Sequence, residues 1–367
     1  NRTSRTTYAT TNGSEAQTAK QSLRYAPDSN RLAQRSTSYA VEADAAGHYT
    51  RYSQSRRYTY DDQGRLSAVT DEAGTPIAHY AYNALGQRVL KEVQQGTART
   101  PYTYLYGPDG QVMGQVRYTS NGKKSKASYY VWLDSLPIAQ IDLNYDAAGT
   151  TIASTTLTYL HSDHLNTPRL ATNQSGNLVW SWQSDAFGIG QPKTHGSTID
   201  VILRFPGQIA DAHSGLYDNY FRDYDPETGR YVESDPIGLN GGLNTYGYVR
   251  GNPLTRIDPY GLVEAVCMPE DFGCGYDENG NKQCKYTCTS GGNTSTGILG
   301  GSQNLSQGDI CYGYEVRQIV APSGDVTTNA GPASKFTVDT ENFWDRYFNY
   351  DPVLLDNIDK KFKENSR

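Results

Sequence analysis

Short Tyr-rich, β-prone runs separated by polar turns fill the first 262 residues, and the turns recur in a fixed format. Tyr followed four positions later by Gly occurs at Tyr60-DDQ-Gly64, Tyr82-NAL-Gly86, Tyr106-GPD-Gly110 and Tyr145-DAA-Gly149, the first three starting 22 and 24 residues apart. Looser relatives are Tyr25-APDSNRL, NQSGNLVW at 173–180 and Tyr224-DPET-Gly229. In each unit a β-prone approach meets a turn of Asp, Asn and Gly that tolerates positive φ, then an apolar strand such as Arg65-Leu66 or Arg88-Val89-Leu90. The unit is therefore a β-hairpin. A lone hairpin is marginal in water, so successive hairpins are expected to pair edge to edge into one long sheet. Twenty-four of the 30 tyrosines lie in these 262 residues, enough to bury ring faces while hydroxyls stay hydrogen-bonded.

The pattern changes near residue 262, and charge and cysteine usage change with it. Residues 1–262 carry 24 acidic and 24 basic side chains, whereas 263–367 carry 15 and 9, which accounts for the whole net charge of -6. All five cysteines lie in the tail and all six histidines before it. Neither part is basic enough for a broad nucleic-acid footprint. No apolar run is long enough to span a bilayer. The opening residues have neither an apolar core nor an initiator Met, so the chain is read as beginning inside a longer polypeptide.

The unit YDDQGRL at 60–66 resembles the signature of the Rhs/YD repeat. The stretch YLHSDHLNTPRLATNQSGNLVWSWQSDAFG at 159–188 resembles the start of the Rhs-associated core domain. FPGQIADAHSGLYDNYFRDYDPETGRYVESDPIGLNGGLNTYGYVRGNPLTRIDPYGL at 205–262 is similar to its end. The resemblance covers roughly residues 20–262 and implies a mainly β fold, a spiralling antiparallel hairpin sheet forming part of a hollow cocoon. The implied organisation is YD repeats at 1–158, the core at 159–262, and a small α+β effector at 263–367. It also implies an antibacterial toxin as cargo, an immunity protein, and a secretion component such as the type VI apparatus delivering the protein into a target cell. The rival reading is a structural shell or adhesion module whose non-enzymatic tail binds a partner or perturbs membranes.

Two copies of Asp-Pro-x-Gly-Leu, at SDPIGL (234–239) and IDPYGL (257–262), place Asp235 and Asp258 23 positions apart. The intervening Gly and Asn-Pro turns could bring these stiff corners together. Carboxylates at close range share one proton and act as an acid and a base at once. A single copy would read as an ordinary turn with the carboxylate capping a backbone N–H. The resemblance implies that the pair is a self-cleaving aspartyl protease, needing no cofactor, with the scissile bond at Leu262–Val263. The composition break falls at the same bond.

Other candidates are weaker. In a strand His161 and His164 point to opposite faces, which disfavours a shared metal. Trp180 and Trp182 share a face and read as packing. In the tail, a hairpin closed by Glu278-Asn279-Gly280 sets Cys274 against Cys284. A cross-strand disulfide and a zinc site are both open there, with Cys267 and Cys288 as further partners. Cys311 reads as the odd, buried thiol. The tail has no histidine, so its own residues cannot form a Ser-His-Asp, Cys-His, HNH or HExxH site. Its end predicts two helices, one carrying Phe343, Trp344, Tyr347 and Phe348. The second starts at Asp351-Pro352 and carries Leu354, Leu355, Ile358 and Phe362.

Overall fold

The computed structural model describes residues 3–11, 14–27, 29–36, 39–53, 55–262 and five tail strands at 265–276, 282–290, 293–300, 317–320 and 326–329. Two compact units separate at Tyr312 and Gly313. In the first, thirteen strands from Glu42–Ala43 to Leu178–Ser181 form one sheet in which every strand pairs antiparallel with its sequence neighbours. This is the hairpin sheet expected from the repeats. Its strand Ile152–Ser162 runs through the 158/159 division read from the sequence, so the repeat sheet extends into the segment assigned to the core. Four further strands within 4–40 form a separate sheet.

The turn format has a local cause. The Asp61 carboxylate accepts the N–H groups of Gln63 and Arg65, both at 3.0 Å, while its carbonyl accepts Gly64 N–H at 2.9 Å. Gly64 then takes φ 77°, which only glycine adopts freely. The same closure recurs from Asn83 to Gly86, Asp146 to Gly149 and Asn173 to Gly176, and Asn166 takes the left-handed position (φ 62°) in the turn from Asp163. The unit's tyrosine spans back to the previous hairpin: the Tyr82 hydroxyl donates to the Leu66 carbonyl at 2.8 Å and that of Tyr106 to the Arg88 carbonyl at 3.0 Å. Each ring is thus packed while its hydroxyl is satisfied.

Against this sheet packs a compact segment with little regular structure. It holds four short strands, Ile209–Asp211, Leu216–Asn219, Arg222–Asp225 and Arg230–Tyr231, and two 3-10 turns, Gly238–Gly241 and Val249–Gly251. Trp180, Trp182, Phe205, Tyr224 and Tyr248 share one buried cluster, and Tyr49, Tyr52, Leu66, Leu216 and Tyr246 another. The tryptophans are therefore core residues, with Trp182 Nε1 donating to the Gly190 carbonyl at 2.9 Å.

Three tail strands, Ala265–Tyr276, Lys282–Ser290 and Asn293–Gly300, form an antiparallel sheet whose register pairs Cys267 with Cys288 and Cys274 with Cys284. In the second unit Arg317–Val320 pairs with Val326–Asn329. Cys311, the Glu278–Gly280 turn and the two expected C-terminal helices lie outside the described residues. Among the described residues no helix is long and apolar enough to cross a membrane.

Candidate functional site

Both Asp-Pro-x-Gly corners fold as tight turns in which the carboxylate caps its own backbone. Asp235 Oδ1 accepts Ile237 N–H at 3.0 Å, and Asp258 Oδ1 accepts Leu262 N–H at 3.0 Å. Gly238 (φ 59°) and Gly261 (φ 66°) supply the left-handed position in each. The turn reading thus describes their local geometry, but the two corners also meet. Asp235 and Asp258 are 7 % and 2 % exposed, and their Oδ2 atoms converge on one nitrogen, Nη2 of Arg222, at 3.1 and 3.4 Å. The sequence suggested carboxyls close enough to share a proton; the structure adds a guanidinium nitrogen that both face, a cation that offsets the desolvation of two buried acids.

The surrounding groups fix this arrangement. Arg222 Nε donates to the Gly261 carbonyl in the second turn, and Nη1 donates at 3.1 Å to the Thr245 carbonyl, which also accepts Asp235 N–H at 2.8 Å. The Arg222 Cζ lies 3.6 Å from the Tyr231 ring centre. The Tyr231 hydroxyl donates to Asp258 Oδ2 at 2.8 Å. Burial pushes Asp235 up to about 6; Arg222 and the Ile237 N–H oppose the shift and Asp258 adds to it. Burial likewise raises the Tyr231 phenol well above its ordinary range, so it remains a donor at neutral pH.

The proposed scissile residue reaches the pair. A Cβ added to Gly241 would collide with Asp235 Oδ2 and lie 2.7 Å from the Leu262 carbonyl oxygen. That carbonyl and that carboxylate therefore flank the same small space, kept open by a glycine. Val263 lies outside the described residues. Sequence reading did not single out Arg222, Tyr231 or Gly241. The one available signal was an arginine amid the tyrosines of YDNYFRDY.

A second buried ionic cluster joins the core to the sheet. Arg88, from the sheet, meets Asp218 at 3.3 Å and Asp223 at 2.8 Å, while Lys91 and the Tyr80 hydroxyl reach Asp211 at 3.3 and 2.6 Å. Burial pushes Asp218 up to about 7 against the pull of Arg88, and raises Asp223 and Glu233 as well. Burial opposes ionisation of Asp211 too, but Lys91, His213 and Arg88 overcome it and hold that carboxyl well below its usual range. This cluster contacts the sheet and not the Leu262 carbonyl, so it reads as the core's anchor.

The histidine candidates do not converge. His161 Nε2 pairs with Thr172 Oγ1 at 2.9 Å, and His164 Nε2 with the Leu254 carbonyl at 2.8 Å. Among the described residues no group of three or more His, Cys, Asp or Glu is arranged to hold a metal.

Residues 60–100 match the RHS Repeat model. The chain is 32% identical over 233 residues to Double-stranded DNA deaminase toxin A of Burkholderia cenocepacia, an alignment covering 59% of this chain and 16% of that protein. It is 29% identical over 227 residues to Toxin protein Tse5 of Pseudomonas aeruginosa, covering 56% and 17%. The chain thus spans about a sixth of the length of these curated relatives. Among solved structures, the Photorhabdus luminescens Tc holotoxin pore matches with a TM-score of 0.55 at 22% identity, over 70% of this chain and 13% of that one. The TcdB2-TccC3 crystal structure matches with the same score at 23% identity, over 70% and 14%. These structures share the fold.

Proposed function

We propose that the chain, whose residues 60–100 match the RHS Repeat model, is part of a toxin-delivering shell that cuts itself between Leu262 and Val263 and releases the following segment as its cargo. The observation that carries this reading is the shared space beside Gly241, where a buried carboxyl of raised pKa faces the Leu262 carbonyl.

In the reaction so derived, Asp235 holds a proton and hydrogen-bonds the Leu262 carbonyl oxygen, polarising it for attack. Asp258 takes a proton from the attacking water as its oxygen bonds to the carbonyl carbon. The C–N bond then breaks, the leaving nitrogen of Val263 is protonated by the pair, and the products are a Leu262 carboxyl group and a Val263 amine. Arg222 offsets the charge of the pair throughout. The chain supplies every group in this scheme, and the cut happens once per molecule.

The relatives named as toxins make a toxic cargo the natural reading of residues 263–367. An immunity protein and a secretion component would complete the system, with action in a target cell. The facing cysteines of the tail sheet would form either disulfides, suited to an oxidising compartment, or a zinc site.

The test is cell-free synthesis of the whole chain followed by a denaturing gel. The parent is expected to yield a 105-residue fragment beginning at Val263, whereas Asp235→Asn and Asp258→Asn stay intact. Cleavage persisting in both variants would overturn the mechanism.

A further inference from the structure

We propose that Asn219 and Tyr231 form a hydrogen-bonded relay that positions Asp258 for the cut, an assignment that rests on reading Asp258 as one of the two working carboxyls. Asn219 ends the strand Leu216–Asn219 and pairs in register with Arg222 across a two-residue turn; Tyr231 ends Arg230–Tyr231, and Tyr224 pairs with it from the intervening strand. One small sheet thus carries the asparagine, the tyrosine and the arginine. Asp258, by contrast, sits between a single bridge residue, Ile257, and the turn at Pro259 and Tyr260.

Asn219 is fully buried and donates both amide hydrogens: to the Tyr231 hydroxyl oxygen at 2.6 Å and to the Asp258 main-chain carbonyl at 3.0 Å. Chemistry fixes the amide's orientation, because the reverse would press its oxygen against a carbonyl that can only accept. The Tyr231 oxygen, already receiving a hydrogen, sends its own single proton to Asp258 Oδ2 at 2.8 Å. The direction of the relay is therefore determined as amide to phenol to carboxyl, and each bond polarises the next.

One side chain consequently fastens Asp258 twice, by its backbone directly and by its carboxyl through Tyr231. With Oδ2 occupied, Oδ1 is left for the Leu262 N–H, which fixes the peptide preceding the scissile bond. The Asn219 amide oxygen is meanwhile buried without a hydrogen-bond partner. Such an orphan is unfavourable, and mere space filling would be met better by an apolar residue. The turn is also pressed onto this position, since a Cβ on Gly261 would collide with the Asn219 carbonyl. Tyr231 in addition offers its ring face to Arg222, and Tyr231→Phe preserves that contact while deleting only the hydroxyl.

The experiment follows cleavage of the whole chain over time after cell-free synthesis, from pH 5 to pH 8. Tyr231→Phe and Asn219→Ala are each expected to slow the cut about tenfold or more. The limb of the pH profile that needs the ionised carboxyl should move to higher pH in Tyr231→Phe, because a donor to that form is gone. The double variant should be no slower than the slower single, as expected for two groups acting in series. Tyr58→Phe, which deletes a buried hydroxyl of the thirteen-stranded sheet bonded to the Ser214 carbonyl at 3.0 Å, should cleave at the parental rate. Parental rates with an unmoved pH profile in both relay variants would overturn the relay, as would an equal loss in Tyr58→Phe. If Asp258→Asn cleaves like the parent, the underlying reading fails instead. If it stops while Tyr231→Phe is unaffected, the relay alone fails.

Discussion

The hairpin sheet and the core segment packed against it bury their residues by opposite means. In the sheet, buried positions such as Ala78 and Tyr80, or Val112 and Val116, alternate with less buried ones, and turns such as those at Asp61 and Asn83 are closed by their own first residue. In the core, residues 216–219 and 222–225 are buried at every position, charges included. The sheet's turns are thus local solutions, each satisfied within a few residues. The core is held by groups far apart in sequence that are satisfied only when the whole segment is assembled. An arrangement of the second kind can keep two carboxyls dry beside one cation, which a repeating hairpin does not provide.

Stability is the first place to break this contrast. Arg88→Met should destabilise the chain by about 3–5 kcal/mol in chemical denaturation, since Asp218 and Asp223 lose the cation they both face. Leu85→Ser, at an exposed hairpin tip on the same sheet, should cost less than about 0.5 kcal/mol. Equal effects would mean that the anchor carries no more than the hairpins do.

A smaller change probes the space beside the pair. Gly241 does not use left-handed backbone, so Gly241→Ala alters only the room between Asp235 and the Leu262 carbonyl. Cleavage in a gel time course should slow at least about tenfold, or about 1.4 kcal/mol in the barrier. An unchanged rate would show that the two groups do not work across that gap.

The smallest effect is in pH. A carboxyl whose folded pKa lies above its unfolded value binds protons preferentially in the folded state, so its contribution is complete below about pH 4 and fades as pH rises to the folded value. Asp218, pushed up to about 7, and Asp235, pushed up to about 6, both act in this direction. Thermal unfolding should therefore occur at lower temperature at pH 8 than at pH 5, and Asp218→Asn should flatten part of that slope. A melting temperature that rises across this window would contradict the burial argument.

What could be read from the sequence follows the same division. The YDDQGRL format announced a hairpin because Asp61, Gly64 and Arg65 make their contacts with one another. Asp235 and Asp258 stood out through the repetition of Asp-Pro-x-Gly. Their partners did not, because Arg222 reaches Asp258 across 36 positions and Asn219 reaches it across 39, through a segment without periodicity. For the same reason the guanidinium that both carboxyls face has no signature in the sequence. Arg88 and Lys91 look like solvated strand residues until Asp211, Asp218 and Asp223 are brought onto them.

The most direct measurement is the intact mass of the purified chain under denaturing conditions. Two masses that divide the polypeptide between Leu262 and Val263 are the predicted result. A single full-length mass, or a division at any other bond, would contradict the account.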